Sequence, residues 1–398
     1  MNSKNPILFL DLAITGHHVE YLYHLITYRI THPEKPLFLL VTHPDFINRL
    51  SDFDFPKNLD SKGIIIIHPS QEVMRKLSRI RAVFKQAKEE FRILVKIVHE
   101  YQIQRCYLMT LNIFQFTIGC HMARELPCGI RGILFNPFGI AGNRVPTWLT
   151  KLRKHFQTLW MLRNTKLEHI YILNDNKMVN SLNRRYDRLN FFVSLPDPIL
   201  TLPKKHLYNG DRLPHRPSKK TRFLVFGSLS ARKGIFLILE ALAHLPDDVL
   251  VRMEVVFAGR VRSQDQKAFD KAFFELKRLK PTLSIDHINE FIPYESIPDL
   301  FKTVDCVLVP YVSNQASSGI LGHTALYKKP VIGQSRGLVG RLIRQYKFGM
   351  GIEHMNAANL AAAVTKFIKN GTEGFDSSGM ERFVAEHHPN CFVETLLK

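Results

Sequence analysis

Short apolar runs recur along this chain with stretches of helical periodicity between them, and that alternation limits the fold more than any other feature of the sequence. Ile7 to Leu12, Leu37 to Val41, Ile64 to Ile67, Cys106 to Met109, Ile130 to Phe135, Ile170 to Leu173 and Phe191 to Val193 read as strands. Strands separated by helices pair in parallel and are covered on both faces, so the expected class is α/β. After Pro196-Asp197-Pro198 the sequence turns polar, basic and proline-bearing as far as Lys220, and the alternation restarts at Phe223. The break implies two doubly wound, Rossmann-like domains in tandem: residues 1–198, a linker over 199–220, and a second domain over 221–375. A helical segment over 376–398 is expected to pack back on the first domain. With 398 residues, 45% of them hydrophobic, the chain is long enough for two such cores. Ligands of these sheets sit outside the carboxyl ends of the strands, so two facing domains would form a cleft.

Two loops in the second half carry the chemistry. Gly227-Ser228-Leu229-Ser230-Ala231-Arg232-Lys233-Gly234 follows the strand Phe223 to Phe226 and opens a helix through Leu239 to Leu242. Ser317-Ser318-Gly319-Ile320-Leu321-Gly322-His323 follows the strand Cys306 to Pro310 and also opens a helix. Small residues between a strand and a helix N-terminus direct unpaired backbone N–H groups at one spot, which favours an anion. Lys233 adds a point charge there, and Gly259, after the strand Val255 to Ala258, reads as a turn beside it.

This half resembles the donor domain of the retaining GT-B glycosyltransferases of family 4, closely over roughly residues 222–370, while the first half resembles them in outline. Those enzymes carry Gly-Arg-(x4)-Lys-Gly in the first loop; here Gly227-Ser228-(x4)-Lys233-Gly234 keeps the spacing with serine in place of arginine. Arg232, one residue nearer the helix, offers a replacement charge. The family's Glu-(x7)-Glu motif precedes Pro-Val-Ile, and counting back from Pro330-Val331-Ile332 places Gln315 and His323 at the two glutamates. The resemblance implies that Gln315 meets the sugar hydroxyls and a neutral His323 the ribose, both able to donate and accept. It also implies that the backbone at Ser317, Ser318 and Gly319 cradles the diphosphate. In the first half, Thr15-Gly16-His17-His18 stands where the family has a glycine-rich loop facing the donor, so Gly16 is expected near the phosphates and His17 and His18 near phosphate or acceptor. Asn136, in Phe135-Asn136-Pro137-Phe138-Gly139, stands near the family's sugar-side histidine. The implied substrates are a UDP- or GDP-sugar and a saccharide or lipid-linked acceptor, with retention and with no cofactor or metal. Asp52-Phe53-Asp54 has the letters of a metal-binding triplet of a different fold and is assigned no metal.

The net charge of +20 calls for an acidic partner or surface. No helix-turn-helix, zinc-finger, RNA-recognition or KH pattern accompanies it, so nucleic acid is not expected. Two basic amphipathic stretches offer another use. In residues 75–99, Leu77, Ile80, Phe84, Ala87, Phe91, Leu94 and Val98 line one helical face, and Arg81, Lys85, Lys88, Arg92 and Lys96 lie away from it. In residues 148–166, Trp148 and Trp160 accompany Leu152, Phe156, Leu159, Lys151, Arg153, Lys154 and Arg163. Cationic helices with aromatic anchors suit an anionic leaflet; solvated basic faces are the alternative. Five cysteines without metal or redox spacing, and no apolar run long enough to cross a bilayer, point to a cytoplasmic chain, peripheral on the inner face of the plasma membrane if the helices dock. The loss of both family glutamates keeps a second class open, a GT-B protein that binds a sugar nucleotide or a partner without transfer.

Overall fold

A computed structural model describes residues 6–14, 17–49, 58–124, 126–135, 148–200, 220–312, 319–373 and 375–398. Two compact units result, one from the described residues up to Leu200 together with His388–Lys398, the other from Lys220 to His387. The first holds a seven-stranded sheet, ordered β3-β2-β1-β4-β5-β6-β7, from β1 (Ile7–Asp11), β2 (Phe38–Thr42), β3 (Ile64–Ile67), β4 (Arg105–Leu108), β5 (Gly129–Ile133), β6 (Leu167–Leu173) and β7 (Phe192–Leu195). The second holds six strands, ordered β10-β9-β8-β11-β12-β13, from β8 (Thr221–Phe226), β9 (Met253–Ala258), β10 (Ser284–Ile288), β11 (Cys306–Val309), β12 (Val331–Gln334) and β13 (Gly349–Ile352). All pairings between these strands are parallel. In each sheet the order reverses beside its first strand, β1 lying between β2 and β4 and β8 between β9 and β11. That reversal opens a crevice at the carboxyl ends, the usual ligand position in such sheets.

Central strands are buried on both faces, which is why residues 7–10 of β1 and 255–258 of β9 read as unbroken apolar runs. The edge strands are different. In β10, Ser284, Asp286 and His287 break the run, and β13 is half glycine, so neither announces itself in the sequence. Gly349, at φ +145°, has no room for a side chain, because a Cβ would lie 2.3 Å from the Val331 carbonyl oxygen.

The basic stretch expected as one helix over residues 75–99 is two, Gln71–Arg79 and Val83–Glu100, with extended backbone at Ile80 and Ala82. The like charges of Arg81 and Lys85, four apart, oppose a continuous helix through the junction. Glu89 bridges the break instead, accepting from Lys76 at 3.1 Å. Residues 376–398 likewise form two helices in two units. Ser378–Glu386 stays in the second unit, where Phe383 packs on Tyr346 and Phe348. Pro389–Leu397 belongs to the first, where Phe392 packs on Tyr21 and the Leu396 carbonyl accepts from Tyr171 at 2.8 Å.

Candidate functional site

The β8 strand ends at Phe226, and the turn after it depends on glycine. Gly227 has φ +99°, and a Cβ there would stand 2.5 Å from the Lys233 ammonium. Gly259, after β9, has φ +138° and would drive a Cβ to 2.0 Å from the Gly227 carbonyl oxygen, so the two turns nest backbone on backbone. The Gly227 N–H donates to the Ala258 carbonyl at 2.9 Å, and Leu229 pairs with Val261. A 3-10 turn at Ala231–Lys233, anchored by the Ala231 N–H donating to Asp265 at 3.0 Å, leads through Gly234 into the helix Ile235–Ala243.

This path turns Lys233 back over the strand end, where its ammonium donates to the Phe226 carbonyl at 2.8 Å. Enclosure by protein, then the charges of Arg232 and Arg262, lowers its pKa to about 7. The Arg232 guanidinium lies 5.5 Å and the Lys233 ammonium 5.9 Å from the Tyr311 ring centre, and the Arg232 carbonyl accepts from the Val312 N–H at 3.0 Å. The ends of β8, β9 and β11 thus bring Lys233, Arg232, Gly227 and Gly259 together at the switch point of the second sheet.

His323 sits in the helix Ile320–Leu326, its ring 5.9 Å from that of Phe226 and 5.7 Å from that of Phe301. Its Nδ1 is enclosed and has no hydrogen-bond partner among the described residues. Burial lowers its pKa to about 4, so the imidazole is neutral at pH 7. Gly319 precedes that helix, and no atom of the described residues lies within 4 Å of an added Cβ there. Ser228 is exposed. Gly16, Asn136, Gln315, Ser317 and Ser318, with Asp52 and Asp54, lie outside the described residues. Arg262 and Tyr311 were not legible in the sequence, since each joins the site only through the packing of another strand's loop. Among the described residues no group of three or more His, Cys, Asp or Glu side chains is arranged to hold a metal ion.

In the first unit, His17 and His18 are not loop residues but start the helix His17–Thr31. His17 is packed rather than presented: its ring lies 4.6 Å from that of His18 and 4.7 Å from that of Phe135, its Nε2 is enclosed without a described partner, and burial, then His18, lowers its pKa to about 4. His18 Nδ1 lies 2.8 Å from a carboxylate oxygen of Asp11, whose other oxygen accepts from the Ala13 N–H at 3.1 Å. Asp11 is buried at the end of β1. A charged residue closing an apolar strand was the available signal for it.

Residues 212–378 match the family model described as glycosyl transferases group 1. No curated protein sequence matches the chain. Among solved structures, Anabaena Alr3699/HepE in complex with UDP-glucose superposes with a TM-score of 0.64 at 15% identity, covering 99% of each chain. A glycosyltransferase from Rickettsia africae gives 0.67 at 14%, covering 99% of this chain and 97% of that one. WaaG, a glycosyltransferase involved in lipopolysaccharide biosynthesis, gives 0.61 at 14%, covering 96% and 95%. Similarity at that identity concerns the fold, and the fold is the one expected from the sequence. With its two parallel-sheet units of GT-B type, the chain shares the fold of these proteins and matches the glycosyl transferases group 1 model over residues 212–378.

Proposed function

We propose that the chain transfers a sugar, with retention, from a nucleoside diphosphate donor, a UDP- or GDP-sugar, to a saccharide or lipid-linked acceptor. The observation that carries this reading is the placement of Lys233 over the Gly227 turn, inside the domain that matches the family. The solved HepE complexes with UDP and UDP-glucose support the donor class, and WaaG's part in lipopolysaccharide biosynthesis supports cell-surface polysaccharide or glycolipid assembly. When the bond from the anomeric carbon to the diphosphate breaks, negative charge develops on the leaving oxygens. Lys233, Arg232 and the backbone at Ser318 and Gly319 stabilise that charge, and preorganised donors of this kind are effective because they need no rearrangement during the reaction. The leaving phosphate takes the acceptor's proton on the same face, and no metal is required. The basic stretches 75–99 and 148–166 hold the protein at the cytoplasmic face of an anionic membrane.

The test is Lys233→Ala. Nucleoside diphosphate binding should weaken by ~1.5–3 kcal/mol, the range for hydrogen bonds to charged groups. Unchanged affinity for UDP and GDP by calorimetry, with the thermal transition intact, removes the assignment. The absence of a carboxylate at both Gln315 and His323 favours a second reading, a GT-B protein that binds a sugar nucleotide without transferring it. Failure of the purified protein to hydrolyse or transfer any UDP-, GDP-, ADP- or CMP-sugar it binds would put that reading first.

A further inference from the structure

The first unit has its own crevice at the point where its strand order reverses. A cavity of about 380 Å³ lies there, lined by Asp11, His18, His43, Gln86, Glu90 and Thr110, with Ser78 at its rim and an otherwise apolar remainder. Among the described residues no lysine or arginine lines it, in a chain of net charge +20. We propose that this cavity binds a hydroxyl-rich ligand without negative charge, an ammonium-bearing saccharide in preference to a neutral one, and excludes sugar phosphates. In the transferase reading, on which that last assignment rests, this ligand is the acceptor.

The size fits. Ligand pockets run from about 300 Å³ upward, and at roughly 30 Å³ per water this one equals about a dozen waters, space for one or two pyranose rings. The polar groups fit as well. Asp11 accepts from the Ala13 N–H with one oxygen and pairs with His18 Nδ1 through the other, so it fixes the imidazole. An imidazole donating from Nδ1 to a carboxylate presents Nε2 as an acceptor, and His18 Nε2 has no hydrogen bond among the described residues. Thr110, 3.4 Å from His18 Nδ1, adds a hydroxyl to the same wall.

Glu90 decides the charge preference. It is 5% exposed, accepts one hydrogen bond, from Gln86 at 2.7 Å, and makes no ion pair among the described residues. Lys76 and Arg92 are engaged with its chain neighbour Glu89. Burial, with a smaller contribution from Asp11, raises the Glu90 pKa, the mark of a carboxyl without a counter-ion. A ligand ammonium supplies that counter-ion and makes a charge-assisted bond, whereas a phosphate adds a second uncompensated negative charge.

The experiment uses the full chain with D-glucosamine, D-glucose and D-glucose 6-phosphate, each titrated by ligand-observed NMR. Glucosamine should bind about tenfold more tightly than glucose, the scale of one charge-assisted bond, and glucose 6-phosphate should show no saturable binding. Glu90→Gln should bring glucosamine and glucose within about twofold of each other. Ser78→Lys, at an exposed position on the cavity rim, should admit glucose 6-phosphate and weaken glucosamine, a gain that damage to the fold does not mimic. Equal binding of the three sugars, preference for the phosphate, no binding of any, or an unaltered preference in both variants overturns the proposal. UDP and GDP titrated into the same samples keep the two readings apart. Nucleotide binding with no sugar preference sinks only the cavity assignment, and sugar preference without nucleotide binding sinks the transferase.

Discussion

Lys233 shows how a residue legible from its motif acquires a property that only its surroundings confer. The spacing after Gly227 raised the expectation of an anion beside it, but its pKa of about 7 comes from enclosure and from Arg232 and Arg262. A lysine held that low is mostly neutral at pH 8, and a bound diphosphate must restore its proton. Diphosphate affinity should therefore fall as pH rises through 7, and binding at pH 8 should take up nearly one proton. Calorimetry in two buffers of different ionisation enthalpy measures that uptake, and Lys233→Ala should abolish it. His323 and Gln315 make a second test. His323→Ala should raise the dissociation constants of both nucleoside diphosphate and sugar nucleotide, because the ribose loses a partner. Gln315→Ala should weaken the sugar nucleotide alone. If neither changes binding or turnover, the alignment through Pro330-Val331-Ile332 is wrong. Gly259→Ala should cost ~1–3 kcal/mol in denaturant titration, since the new Cβ meets backbone that cannot move aside and φ is in the left-handed region.

At the scale of elements, amphipathic pattern located the helices but not their ends or partners. Arg81, Lys85, Lys88, Arg92 and Lys96 are exposed as their spacing required, while Phe84, placed by the pattern on the apolar face, is 50% exposed. On the helix Trp148–Leu162 the two tryptophans separate. Trp148 is 68% exposed, with Phe156 at 64%. Trp160 donates from its indole to the Phe116 carbonyl at 3.0 Å and packs where a Cβ on Gly119 would stand, so it ties the helix down. If this face docks on anionic lipid, Trp148→Ala with Phe156→Ala should reduce sedimentation with acidic vesicles and leave the thermal transition unchanged. Binding of the unaltered protein should exceed that to neutral vesicles and decline with salt, as screening of surface charge requires. Equal binding to both vesicle types returns the charge to a solvated face.

For the whole molecule, the C-terminal residues complete the first unit although the chain reaches them only after the second. Phe392, Val393 and Leu396 are fully buried, and the Leu396 carbonyl accepts from Tyr171 and, at 3.4 Å, from Arg131. Removing residues 388–398 should destabilise the first unit by several kcal/mol, given ~2–5 kcal/mol for each large buried side chain lost. Differential scanning calorimetry should show its transition lowered while UDP or GDP binding by the second unit persists. An unaltered scan would mean that the helix Pro389–Leu397 does not support that unit.

The sequence alone determined the fold class and the break between its two sheets, because parallel strands buried on both faces are predominantly apolar and the segment between the two sets of strands is not. It also located the Gly227 to Gly234 loop, since a sharp turn into a helix leaves its mark in glycine spacing. Tertiary structure decided the rest. The edge strands β10 and β13, the Arg262 and Tyr311 contributions, the enclosure of His17 and the Asp11–His18 pairing each depend on what packs alongside. A residue whose role is set by neighbours distant in the chain carries no local pattern from which that role can be read.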